Sequence, residues 1–319
     1  MPVMMYREPI IAIGAGIASA LLSTSVAVGS GIGLILAYFS LLPVLLVGLS
    51  QGPRSTTIAT VSGIVCAILL TNIFQGGLFG ISVALPGWLI VRYVLMTQTT
   101  QSNSTNWLPI GEVLARLVAF GGIILVLSAI TYFDSPGGLP KSIETFLDKM
   151  ISARFQFGVA VDRQLIVERL VPLFPAVTVS SWVLMTLVNS LLAQSILIKA
   201  SINLRPTIYY SKITVPEWIY WAIVGSGTLA LIGSGSFEYI GRNLSVILAI
   251  PFFLVGLSVI HTMARQLRSP GVVLVAFYFF MVISSWVIFV AAIIGFFEEW
   301  NQIRGKYKAT THNAEDDTK

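Results

Sequence analysis

Charge, cysteine and histidine are what this chain has least of. Of its 319 residues only 10% are charged, one is cysteine and two are histidine, whereas a soluble domain carries roughly 25% charged residues. Cys66 stands alone in an apolar run, so one chain can form neither a disulfide framework nor a cysteine-based metal site. His261 and His312 lie far apart in sequence, and this ligand supply leaves no metal and no cofactor expected. Motifs that carry chemistry are missing too. There is no phosphate loop, no His-Glu-x-x-His and no carboxylate pair deep in an apolar block. Ser180 and Ser181 have no histidine in the same block, so no catalytic residue and no enzyme activity are expected, and nucleic acid is not an expected partner.

What is there is apolar sequence. Hydrophobic residues make up 55% of the chain, the mean hydropathy is +0.86, and between Glu8 and Arg92 the only charge is Arg54. A helix needs about 20 mostly apolar residues to cross roughly 30 Å of hydrocarbon. Blocks of that length lie near 10–28, 34–50, 56–74, 77–96, 113–132, 171–197, 218–236, 244–262 and 271–297. The chain therefore reads as an all-α polytopic integral membrane bundle with about nine transmembrane helices, within a range of about eight to ten. A barrel is excluded because its strands alternate, while these blocks are continuously apolar. The first block runs through Gly29, Gly31 and Gly33 into the second without a charged leader of the cleavable kind, and is read as a retained anchor.

Basic residues of short loops are kept on the cytoplasmic side. With the N-terminus inside, the inner segments hold Arg7, Arg54, Arg92, Arg116, Lys199, Arg205, Lys212, Arg265 and Arg268, and the short outer loops hold only Arg242. The N-terminus is expected to be cytoplasmic. Nine crossings would then place Arg304, Lys306 and Lys308 outside, against the same rule; either one span is miscounted or the tail is an exception.

The segment 139–169 differs in kind. Ile143, Phe146, Leu147, Met150 and Ile151 recur with helical period, opposite Lys141, Glu144, Asp148 and Lys149, which predicts one amphipathic helix along the membrane surface. It is a packing strap or a lid. Small residues recur every four positions at Ala12, Gly16 and Ala20, and at Ala59, Gly63 and Ala67. Such stripes let helices approach closely in lipid, inside the bundle or against a partner subunit. Prolines 43, 86, 172, 175 and 251 fall inside or at the start of spans. The carbonyls they release must find partners in the bundle or in a wet cavity.

No charge sits at the centre of a span, which disfavours a proton-coupled pump. The buried polar candidates for a ligand site are uncharged: Asn72 and Gln75 at the outer end of span three, and Trp182 and Asn189 within span six. Without its own nucleotide site, active transport would need an energising partner.

The stretches Pro43 to Arg54, Leu85-Pro86-Gly87 followed by Arg92, Gly256-Leu257 followed by His261, and the ending Gly295 to Arg304 with Glu298, Trp300 and Arg304 resemble the YybS-like bacterial membrane proteins of unknown function. Family members more often carry Asp where this chain has Glu298. That family is in turn similar to the substrate-binding S components of energy-coupling-factor transporters. The likeness implies a six-helix core at 10–197 with three additional helices at 218–297. It also implies a bacterial cytoplasmic (inner) membrane location. Ala12, Gly16 and Ala20 would form the face that docks a transmembrane coupling subunit and its ATPase. One integral membrane domain over 1–305 is expected, followed by a polar disordered tail at 306–319. Two functions follow: a substrate-binding or transport component lacking its own ATPase, or a membrane scaffold or assembly factor without a small-molecule ligand. Trp300 also suits an interfacial anchor at the end of a span.

Overall fold

The computed structural model describes residues 2–99, 105–154, 163–206 and 213–301; Arg304 and the tail at 306–319 lie outside them. The helices cluster into two compact units, 1–113 with 182–208, and 114–181 with 209–319. The six-span stretch 10–197 thus contributes to both.

The first unit contains α1 (Pro2–Thr24), α2 (Gly31–Tyr38), α3 (Leu42–Gln51), α4 (Pro53–Leu70), α5 (Ile73–Phe79) and α6 (Leu85–Val94). A short antiparallel ribbon follows, β1 (Thr97–Thr99) with β2 (Thr105–Trp107), pairing Thr97 with Trp107. This ribbon is the one departure from an all-helical chain among the described residues. α7 (Ile110–Thr131) begins in this unit and α10 (Phe174–Lys199) ends in it. Ala12 of α1, Val44 and Val47 of α3 and Ala59 of α4 form a core cluster with Ala15 and Ile58. α1 and α4 approach so closely that a methyl on Gly16 would run into the carbonyl of Ala59 and the hydroxyl of Ser62. The chain turns from α3 into α4 at Gly52, whose φ of 95° disfavours a side chain, and Pro53 opens α4 at the position where a missing N–H costs nothing.

The second unit holds the rest of α7, α8 (Gly138–Arg154), α9 (Arg163–Leu170), the start of α10, α11 (Glu217–Ile232), α12 (Ser236–Ala264), α13 (Pro270–Ile283) and α14 (Trp286–Asn301). α12 is its axis. Gly241 brings α12 onto the backbone of α11 at Leu229 and Ala230, and Gly256 and Gly295 face each other where α12 crosses α14. Tyr220, Phe252 and Phe296 close this three-helix contact with ring centroids 4.7 to 5.2 Å apart.

Among the described residues seven helical segments are long and apolar enough to cross a membrane, and the pair α13–α14, bent by 118°, brings the total to eight. The shorter apolar helix α11 is the counterpart of the block near 218–236. Each expected span thus has a counterpart, and the ninth, near 271–297, is broken at Ser284 and Ser285. The amphipathic segment folds as α8 and α9. Leu147, Ile151 and Val167 are buried together, with Ile143 and Ile166 against them, and Arg163 of α9 pairs with Asp148 of α8 at 3.0 Å.

Candidate functional site

A helical carbonyl normally accepts from the N–H four residues on, and a proline at that position leaves it open. The structure brings groups distant in sequence to such carbonyls and to helix ends. Pro86 has no N–H for the carbonyl of Ser82; the helix widens there into a π turn over Gly80–Ala84, and the Trp182 indole donates to that carbonyl at 2.8 Å. At the end of α3 the carbonyl of Leu49, one of the last four that a helix leaves without a donor, accepts from the N–H of Leu204 at 3.1 Å. Pro175 likewise has no N–H for the carbonyl of Val171, which accepts instead from the N–H of Phe174 in a 3-10 turn over Val171–Leu173 and from the Tyr239 hydroxyl at 2.7 Å. One residue on, the buried Asn243 carboxamide is inserted between this turn and the first turn of α10, accepting from the N–H of Ala176 at 3.0 Å and donating to the carbonyl of Pro172 at 3.0 Å.

These contacts settle where the expected site residues lie. Asn72 caps α5, its Oδ1 accepting from the N–H of Gln75 at 2.9 Å, and both residues are exposed. Trp182 closes the π turn. Asn189 donates to the carbonyls of Tyr38 and Met185 at 2.7 and 2.8 Å, bridging α10 to the break between α2 and α3. Its Oδ1 and the hydroxyl of Thr186 one turn earlier are buried without a hydrogen-bond partner among the described residues. Ala12, Gly16 and Ala20 are buried and the stripe meets α4, so the face of α1 turned outward carries Ile10, Ile13, Ile17 and Leu21. Glu298 is buried in α14. Trp300 falls within α14, with its side chain outside the described residues, as is the whole of Arg304.

Sequence reading missed a cavity of about 570 Å³ in the second unit, where the end of α7, the starts of α8 and α10 and the start of α12 meet. Phe133, Ser135, Gly137, Gly138 and Pro140 line one side, Val171 and Pro172 another, and Gly235, Ser236, Glu238, Tyr239 and Arg242 a third. Its volume falls within the ~300–1,000 Å³ of small-molecule pockets. The 3-10 turn that leads into α10 forms part of the wall, since Tyr239 both lines the cavity and holds Val171. Gly137 and Gly138, with φ of 80° and 63°, shape the entry to α8. Arg242 and Glu238, one helical turn apart, approach to 3.6 Å with side chains 43% and 46% exposed. Such a pair is worth only ~0.3–0.5 kcal/mol, so a ligand can open it cheaply. The Nε of Arg242 is buried and has no hydrogen-bond partner among the described residues. The sequence did hold a signal for this place: Arg242 is the one basic residue that the charge rule leaves in a short outer loop.

Helices of this length and apolarity define a polytopic α-helical membrane protein, which would sit in a lipid bilayer. The family model described as Predicted membrane protein (DUF2232) matches residues 16–298, and the chain belongs to that family. Its members' function is not established. No curated protein matches the chain, and no solved structure matches it.

Proposed function

We propose that the protein is the binding component of a transport or uptake system in the bacterial cytoplasmic membrane, without catalysis of its own. The cavity of about 570 Å³ carries this reading. It combines apolar walls with a charged pair and hydroxyl groups, the mixture by which small-molecule sites hold and orient a ligand. Lacking a nucleotide site, the protein would deliver its ligand through a transmembrane coupling subunit and an ATPase. The N-terminus is cytoplasmic in this scheme, which puts the cavity at the outer surface. The clustering of Leu204 on Leu49 and of Arg205 on the carbonyls of Val94 and Leu108 supports the scheme, because it gathers basic inner segments at one end of the first unit.

Native mass spectrometry of the full chain purified in mild detergent tests this reading. A small-molecule adduct lost in Ser135→Trp, which fills the cavity, is the expected result. A bare protein in wild type and variant alike would remove the proposal.

A second reading, a membrane scaffold without a ligand, is favoured by α13, an apolar helix with no buried residue. Partner subunits that co-purify and are lost on cutting the chain after Arg304 would move the weight to it.

A further inference from the structure

We infer that the cavity takes a zwitterionic group, a phosphate or carboxylate joined by a short link to an ammonium. This inference rests on the binding-component reading above. The two signs of charge stand side by side on one face of α12, Glu238 and Arg242, at 3.6 Å, beyond the usual hydrogen-bond distance for such a pair. Each therefore keeps free capacity toward the cavity that both line. Arg242 presents a planar fork suited to an oxyanion, and its buried Nε has no hydrogen-bond partner among the described residues. Glu238 accepts only, and suits an ammonium. A purely anionic ligand would be repelled by Glu238 and a purely cationic one by Arg242; a molecule with both charges satisfies both. Ser135 supplies a neutral hydroxyl from another wall, and Ser236 one from the same end of α12 as the pair. The same chemistry occurs in a soluble zwitterion and in an ethanolamine lipid headgroup.

The test is a binding titration of the full chain in detergent with four probes: phosphoethanolamine, short-chain phosphatidylethanolamine, short-chain phosphatidylglycerol and inorganic phosphate. The ethanolamine probes should bind at least about tenfold more tightly than the glycerol lipid or phosphate, a ratio that charge-assisted pairing at both ends can supply. R242Q should lose all binding, and E238Q should lose the preference while keeping weak binding. If R242Q does not fold, R242K keeps the charge without the fork and should show a partial loss. Binding of free phosphoethanolamine identifies a soluble source, and binding of the lipid alone identifies the membrane; both outcomes support the assignment. Equal binding of the ethanolamine and glycerol lipids would overturn it. A co-purified adduct without an ammonium group that S135W removes would overturn it while leaving the cavity as a binding site. A bare protein that takes up no probe would remove both.

Discussion

The indole Nε1–H of Trp182 lies 2.8 Å from the carbonyl oxygen of Ser82, the acceptor that Pro86 deprives of its helical donor. In the hydrocarbon region an open carbonyl has no water to turn to, so this side chain closes a gap made elsewhere in the chain. Trp182→Phe keeps the ring and removes the donor, and should cost ~1–3 kcal/mol. Pro86→Ala restores an N–H, so the same substitution in that background should cost well under half as much. Denaturation of the four proteins of this cycle measures it; equal costs in both backgrounds would show that the two residues are not coupled.

Asn243 should be the more sensitive site, since its one carboxamide serves Ala176, Pro172 and Tyr239 at 2.9 to 3.0 Å. Asn243→Leu leaves a buried N–H and a carbonyl open together, and a loss of ~3 kcal/mol or more is expected. Tyr239→Phe removes only the bond to Val171 and should cost ~1–2 kcal/mol. The double variant should lose less than the sum, because both residues hold the same 3-10 turn. Thermal unfolding in detergent would show this, and strict additivity would contradict the shared role.

At the crossing of α12 and α14, a methyl on Gly295 would meet the carbonyl of Phe252. Gly295→Ala should destabilise by ~1–3 kcal/mol, as overpacking does. Gly225 in α11 has nothing near it, so Gly225→Ala should be neutral or stabilising by up to ~1 kcal/mol. Melting temperatures that move in the same direction would disprove the close contact.

These positions also show how far the sequence could be read. Every span was visible, because a run of twenty apolar residues has few alternatives to a membrane helix, and the period of Ile143, Leu147 and Ile151 announced a buried face that the structure seats on Val167. Prolines 86 and 175 gave notice of open carbonyls, but not of the groups that close them, since Trp182 and Tyr239 are distant in sequence and only packing brings them near. Trp182 and Asn72 are ligand candidates in the sequence because polar groups in apolar runs invite that reading; the structure adds that both hydrogen-bond backbone atoms. The break at Ser284 and Ser285 had no proline or glycine to mark it. The cavity was hidden for another reason: its walls come from segments around 133–140, 171–172 and 235–242, none of which carries a motif of its own.

Sidedness can be settled with the chain's single cysteine removed. Asp134 follows α7 at the cavity end and is exposed, and Arg54 lies exposed in the first turn of α4. In a Cys66→Ala background, Asp134→Cys should react with a membrane-impermeant maleimide in intact cells, and Arg54→Cys only after the membrane is opened. The positive-inside rule requires that result, because Arg54, Arg92 and Arg116 share a side and Arg242 stands apart. The opposite labelling would place the cavity on the cytoplasmic face. On the proposed reading, a ligand would then be drawn from inside the cell, and the protein would serve export rather than uptake.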